Sequence, residues 1–281
     1  MKNALLACLL CLPVASGCVL AETTSGAGLV HAVAPASTVA ALVQAEPDLQ
    51  TFAHELEQQP TGQLLDLIRR ADAVAIGPGL GRAAGRRELV TALIDAASRV
   101  VLDADGLIAF QGCTSELRRL GEGRPLVLTP HPGEFRSLFP ALEGRREVDP
   151  WGAAAAAADE VGCTVLLKGV PTVIARAGQP LLTVAAGNPG LGTGGSGDLL
   201  SGIIVAGLAR DLAPEIAAAL GAQILGRSAD LAARRVSARS LRPMDVIGAL
   251  PDLWREWELL RLAGLPVNPP VVLELFKPLT V

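Results

Sequence analysis

The chain has 281 residues, 50% of them hydrophobic and 19% charged, which supplies a large core and excludes the composition of a disordered segment. Its formal net charge is −4, and its basic residues gather no further than pairs such as Arg69-Arg70, Arg86-Arg87, Arg118-Arg119, Arg145-Arg146 and Arg234-Arg235, so no nucleic-acid partner is expected. Five cysteines (Cys8, Cys11, Cys18, Cys113 and Cys163) are odd in number and scattered, which suits a reducing compartment; the Cys8-x-x-Cys11 spacing has no second pair or nearby histidine to make a zinc site.

The first twenty residues, MKNALLACLLCLPVASGCVL, combine one lysine, an apolar run and small residues before Cys18. This is the pattern of a secretory or lipoprotein signal, and equally of an apolar strand and helix belonging to the fold. Residues 1–24 are set apart as an atypical apolar segment, 25–260 as one domain and 261–281 as a proline-rich tail. No repeat, heptad or membrane-spanning run follows residue 20, and no membrane association is expected.

From Ser25 the pattern is regular. Leu29 to Val33 reads as a buried strand and Ser37 to Ala45 as a helix capped by Ser37, whereas 47–59 reads as polar and irregular. Gln63 to Arg70 is a helix with Leu64, Leu67 and Ile68 on one face and two arginines at its end. Strand Ala73 to Ile76 leads into Gly77-Pro78-Gly79-Leu80-Gly81, a tight turn or a ligand loop, since ligands of α/β sheets sit at the carboxyl ends of strands. Helix Arg86 to Ala97 and strand Val100 to Leu102 lead to Asp103-Ala104-Asp105. Paired acids there suit metal binding or acid–base work, and equally a turn and cap before a helix from Gly106 to Phe110. Strand Leu126 to Leu128 ends in TPHPGEF, where His131 and Glu134, three residues apart, are spaced either to project toward one ligand or, for the histidine, to serve the fold alone.

After an alanine-rich helix, Trp151 to Val161, the strands Thr164 to Leu167 and Thr172 to Ala175 flank Lys168-Gly169-Val170-Pro171. A lysine ending an apolar strand is either a phosphate contact or a stem reaching for solvent. Strand Leu181 to Val184 then delivers the chain to GNPGLGTGGSGDLLSG, Gly187 to Gly202, with six glycines in the eleven residues up to Gly197. Bare backbone lets a ligand reach the amides, and the helix that follows opens with unpaired N–H groups and the positive end of its dipole, a site for phosphate. Asp198, at that opening, is either a base for a substrate hydroxyl or a helix cap. Pro214 to Leu225 and Ser228 to Ala238 read as two further helices.

The segment GNPGLGTGGSGDLLSGIIVAG resembles the signature of the NAD(P)H-hydrate dehydratases of the ribokinase-like superfamily. SGAGLV from Ser25, IGPGLG from Ile76, VLDADGL from Val101, LTPHPGEF from Leu128, LLKGVPTVIA from Leu166 and SLRPMDVIGALP from Ser240 match the same family in order. The resemblance implies an α/β fold, the ribokinase-like three-layer sandwich with a mostly parallel central sheet and no lid domain, assembled as a homotetramer. It implies ADP-dependent dehydration of the S epimer of NADHX or NADPHX to NADH or NADPH, with AMP and phosphate formed. ADP is then the co-substrate and Mg2+ the cofactor.

By the same resemblance Asp198 contacts the substrate and takes its hydroxyl proton, and Gly81 and His131 hold the dinucleotide. Lys168, Gly169, Val170, Pro171 and Thr172, with Gly195, Ser196 and Gly197, hold the adenine nucleotide, and Glu134 supports magnesium through water. The need for ADP and reduced dinucleotide implies a cytoplasmic protein, against the export suggested by residues 1–20. The family's amino-terminal strand and glycine-serine turn are not recognisable before Ser25, which keeps open a truncated, non-catalytic nucleotide-binding paralogue. A small-molecule kinase of the hydroxymethylpyrimidine or sugar type, using the same glycine-aspartate apparatus, is the other alternative.

Overall fold

Short runs of small and branched residues alternate with helices along the chain, and this rhythm builds a sheet covered on both faces. The structure is a computed structural model that describes residues 5–9, 25–26, 28–46 and 49–264. Its strands are β1 Leu5–Leu9, β2 Leu29–Ala34, β3 Gln50–Ala53, β4 Ala73–Ile76, β5 Val100–Leu102, β6 Leu126–Leu128, β7 Thr164–Leu167, β8 Thr172–Ala175 and β9 Leu182–Val184. They form one sheet in the order β3-β2-β1-β4-β5-β6-β7-β8-β9. Neighbours are parallel from β3 across to β7, and β8 and β9 are added antiparallel.

The helices are α1 Ala36–Ala45, α2 Gly62–Arg70, α3 Arg86–Ala96, α4 Ala104–Ile108, α5 Thr114–Gly121, α6 Pro132–Leu138, α7 Glu143–Val148, α8 Pro150–Val161, α9 Ser196–Ala209, α10 Pro214–Val236 and α11 Pro243–Leu262. Side chains alternate across the sheet with period two, so the central strands β4 to β7 feed two cores. Ala73, Ala75, Val101, Val127 and Leu166 face a core built with α9, α10 and α11. Val74, Ile76, Val100, Leu102, Leu126, Leu128 and Val165 face the other, built with α2, α3, α5 and α8. The alanines of β4 matter to the site, because small side chains let α9 lie close across β4 and β5.

Local chemistry sets several helix ends. Thr61 caps α2 by accepting the Leu64 amide at 3.2 Å, and Leu64, Leu67 and Ile68 form its buried stripe. Asp149 caps α8 through the Gly152 amide at 2.9 Å, with Pro150 in the first turn.

The structure corrects the sequence reading at several elements. Leu5–Leu9, placed outside the domain, is a strand near the middle of the sheet, with Leu5 to Leu9 in register with Leu29 to Val33 on one side and Leu6 to Leu9 with Ala73 to Ile76 on the other. The stretch read as irregular from 47 contains edge strand β3. Helix α1 starts at Ala36 after Pro35 without a side-chain cap, so Ser37 lies inside it. Two expected helices are the single 23-residue α10, because Gly226 does not interrupt it. A β-carbon there would lie 2.5 Å from the carbonyl carbon of Ala186, so the glycine serves close packing of the helix on the loop after β9. Helices α5, α6, α7 and α11 were not anticipated. Cys11, Cys18 and the tail from residue 265 lie outside the described residues.

Candidate active site

The carboxyl ends of β4 to β7 stand side by side, and their connections touch backbone to backbone. Gly77, at φ +127°, closes on β5 so tightly that a β-carbon would sit 1.8 Å from the carbonyl oxygen of Asp103. Three amides extend the ladder beyond the strands: Asp103 N donates to Ile76 O at 3.0 Å, Thr129 N to Leu102 O at 3.2 Å, and Lys168 N to Pro130 O at 2.9 Å. Asp103, the His131 turn and Lys168 are thereby lined up along one edge, where α/β proteins bind ligands.

Helix α9 points its amino terminus at this edge. Gly195, at φ +94°, turns the chain into the helix without offering a side-chain cap. The amides of Gly197 and Asp198 find no hydrogen-bond acceptor among the described residues, so two donors and the positive end of the dipole face outward. Beside them opens a cavity of about 480 Å³, lined by Lys168 to Thr172, Val184 to Pro189, Ser196, Gly197, Leu200, Ala222 and Leu225 among others. Its volume lies within the roughly 300–1,000 Å³ of small-molecule sites. Lys168, Gly169, Val170, Pro171, Thr172, Ser196 and Gly197 thus share one cavity. Gly195 forms the turn behind it.

Asp198 lies in the first turn of α9, partly buried, and its carboxylate has no hydrogen bond or ion pair among the described residues. Burial first, and then the neighbouring Asp103 carboxylate, push its pKa up from 3.8 to about 7, with Glu134 adding to the rise and Lys168 opposing it. A group caught near neutrality and left without a partner is suited to take a proton. Asp103, 1% exposed, accepts from Lys168 Nζ at 2.7 Å, from Ser201 Oγ at 2.8 Å and from the Ala104 amide at 2.9 Å.

His131 and Glu134 cap α6 reciprocally. His131 Nδ1 accepts the amides of Gly133 at 3.0 Å and Glu134 at 3.3 Å, and Glu134 Oε2 accepts the His131 amide at 2.8 Å. An accepting Nδ1 leaves the ring proton on Nε2, which lies 3.4 Å from Glu134 Oε1 on a half-exposed side chain. Glu134 is buried, and that burial raises its pKa against the pull of Lys168. Gly81 sits apart from the cavity, its amide donating to Asp105 Oδ2 at 3.0 Å while Arg82 Nε reaches Asp105 Oδ1 at 2.9 Å. It lines its own hollow of about 290 Å³ with Arg82, Arg86 and Arg87. Asp105 therefore shapes the Gly81 loop, and Asp103 faces the helix terminus.

Sequence reasoning missed Ser201 and the wall formed by α10. It also missed the clamp on the glycine loop, where Asn188 Nδ2 donates to Asp230 Oδ1 at 2.9 Å and Asn188 Oδ1 accepts the Gly190 amide at 3.0 Å. Asn188 before Pro189 was a legible turn signal; its partner 42 residues away was not.

With this geometry in view, similarity to known proteins is specific. The family described as NAD(P)H-hydrate dehydratase matches residues 15–252. The bifunctional NAD(P)H-hydrate repair enzyme Nnr of Moorella thermoacetica is 37% identical over 258 residues, 87% of this chain and 48% of that protein. The Nnr of Escherichia coli K12 is 33% identical, over 82% of this chain and 42% of that protein. The chain thus spans less than half the length of these curated relatives. Among solved structures, the ADP/ATP-dependent NAD(P)H-hydrate dehydratase of Bacillus subtilis, co-crystallised with ATP/Mg2+, superimposes with a TM-score of 0.76 at 25% identity, covering 89% of each chain. A ribokinase-like superfamily protein of Enterococcus faecalis does so with a TM-score of 0.76 at 24% identity, covering 90% of this chain and 87% of that one, and shares the fold. The chain is a ribokinase-like α/β protein and belongs to the NAD(P)H-hydrate dehydratase family.

Proposed function

We propose that the chain dehydrates the hydrated nicotinamide ring of NADHX or NADPHX, using ADP as phosphoryl donor. The observation that carries this reading is the unpartnered Asp198 carboxylate, its pKa near 7, beside two bare amides at the edge of a nucleotide-sized cavity. Hydroxide is a poor leaving group, and phosphorylation converts it to a good one. The ring hydroxyl oxygen attacks the terminal phosphorus of ADP, the bond to AMP breaks, and Asp198 takes the hydroxyl proton. The lone pair of the ring nitrogen then expels phosphate to leave an iminium, and loss of a proton from the adjacent ring carbon to solvent restores the conjugated dihydronicotinamide, so NADHX and ADP become NADH, AMP and phosphate.

The Gly197 and Asp198 amides stabilise charge that develops on the phosphoryl oxygens, and Lys168 adds a positive charge to the same region. His131, with Nε2 protonated, donates to the dinucleotide, and the Gly81 loop contacts it. The apolar wall of Leu200, Ala222 and Leu225 suits an adenine ring.

The residues fit magnesium held through phosphates and water. Among the described residues no group of three or more His, Cys, Asp or Glu is placed to hold a metal ion directly. Yet, on top of burial, the Asp103 carboxylate raises the pKa of both Glu134 and Asp198, and Glu134 adds to the rise at Asp198, against the ammonium of Lys168, a surplus of negative charge that a divalent cation offsets. Bound Mg2+ would neutralise phosphate charge there, and Glu134 and Asp198 would be the residues to support it through water. The relative co-crystallised with ATP/Mg2+ supports nucleotide and magnesium use. Among the described residues no helix is long and apolar enough to cross a membrane. The demand for ADP and reduced dinucleotide supports a cytoplasmic site of action.

The test is to incubate the protein with NADHX, ADP and Mg2+ while following NADH absorbance and released phosphate. One phosphate per NADH is expected; folded protein that regenerates no NADH refutes the reading. A kinase would instead leave a stable phosphorylated product and release no phosphate.

A further inference from the structure

We propose that Asp103 is a positioning residue for phosphoryl transfer, anchoring Lys168 against the amino terminus of α9, with Ser201 locking Asp103 to that same helix. The proposal rests on the phosphoryl-transfer reading above and adds a link that joins three separate parts of the chain.

Asp103 is 1% exposed and fully engaged. One oxygen holds the Lys168 ammonium and the Ala104 amide, and the other holds the Ser201 hydroxyl. Ser201 is itself 0% exposed and lies three residues after Asp198, so the base and the hydroxyl share one face of α9. The lysine differs from its anchor in exposure: its side chain is 20% exposed against 2% for Asp103, and it lines the nucleotide cavity. An ammonium has three donors, and Asp103 uses one, which leaves two directed away from the anchor.

Gly197 explains how the ammonium comes so near the helix. A β-carbon there would stand 3.1 Å from Lys168 Nζ and 3.7 Å from Asp103 Oδ2, so the ion pair packs directly on bare backbone beside the outward-facing amides. A buried ion pair contributes little net stability by itself, and an apolar replacement is often neutral. What requires charge at this point is the cavity. A lysine stem has four rotatable carbons, and without Asp103 the ammonium leaves the phosphoryl position.

Asp103→Asn, Lys168→Met and the double variant test this. Asp103→Asn should lower kcat about a hundredfold, the scale for misplacing a catalytic group by about 1 Å. It should weaken ADP binding, measured by calorimetry, about tenfold through loss of a charge-assisted contact, while leaving adenosine binding unchanged. The double variant should be no worse than Lys168→Met alone, because Asp103 acts through the lysine. Ser201→Ala, which keeps the ion pair, should give a smaller loss in the same direction and none in the Lys168→Met background. Losses that multiply in the double variant, or equal weakening of ADP and adenosine, would overturn the proposal. Calorimetry reports on the anchor even if NADHX is not the substrate, so failure of the function reading and failure of this one are distinguishable.

Discussion

Replacing Asp198 with asparagine should disable the protein and at the same time make its fold more stable at neutral pH. In the folded state burial and the Asp103 carboxylate hold the Asp198 pKa at about 7, whereas an exposed aspartate titrates near 3.8. The folded state therefore keeps a proton that the unfolded chain releases, and stability falls as pH rises from about 3.8 to 7. Each pKa unit is worth about 1.4 kcal/mol, so the ionised carboxylate destabilises the fold by at most about 4 kcal/mol. Partial solvation of the side chain reduces this to roughly 2 kcal/mol. An uncharged asparagine of the same shape escapes that penalty. The assay is thermal unfolding of both proteins at pH 8 and at pH 4. At pH 8 Asp198→Asn should melt about 5 °C higher, and near pH 4 the two should converge. Turnover by the variant should fall by about 10² to 10⁴-fold, the usual contribution of a general base. A variant that melts lower than the parent at pH 8, or one that keeps its turnover, would refute the reasoning, since Asp198 would then be a stabilising cap.

Other consequences follow from the same geometry. In the parent enzyme kcat/KM should fall about tenfold per pH unit below the Asp198 pKa of about 7, because the base must be ionised, and a flat acid limb down to pH 5 would contradict the assignment. Deleting residues 1–10 removes β1 from between β2 and β4 and should abolish soluble folded protein by circular dichroism; a folded deletion variant would show that β1 is dispensable. Gly77→Ala places a methyl 1.8 Å from the Asp103 carbonyl at a strained φ, so it should melt well below the parent and lose activity with it. Glu134→Gln keeps the cap of α6 and removes a charge, so it should raise the Mg2+ concentration needed for half-maximal rate while leaving the melting temperature within a few degrees.

Much of the parallel core was legible because its strands are short, apolar and punctuated. Ala73–Ile76 and Val100–Leu102 needed only their composition and the Gly-Pro or Asp-Ala that ends them. Leu5–Leu9 failed because five apolar residues within a longer apolar run carry no period, and the same letters serve a signal sequence. Edge strand Gln50–Ala53 failed for the opposite reason, having too little apolar surface to announce itself. The glycine loop and Asp198 were visible as a local pattern. The Asp103–Lys168–Ser201 link was not, since its members stand 65 and 98 residues apart and meet only through the sheet. His131 and Glu134 were seen as a pair, but their mutual capping of α6 depends on a helix that the two prolines obscured.

The account turns on the order of bond making at the mouth of α9: an alcohol deprotonated by Asp198 must bond to phosphorus before its carbon–oxygen bond breaks. Isotope tracing reads this directly. NADHX carrying ¹⁸O in the ring hydroxyl, turned over with ADP and Mg2+, should deliver the label to inorganic phosphate. Label appearing in water, with unlabelled phosphate, would mean that the hydroxyl departs without being phosphorylated and would contradict the central claim.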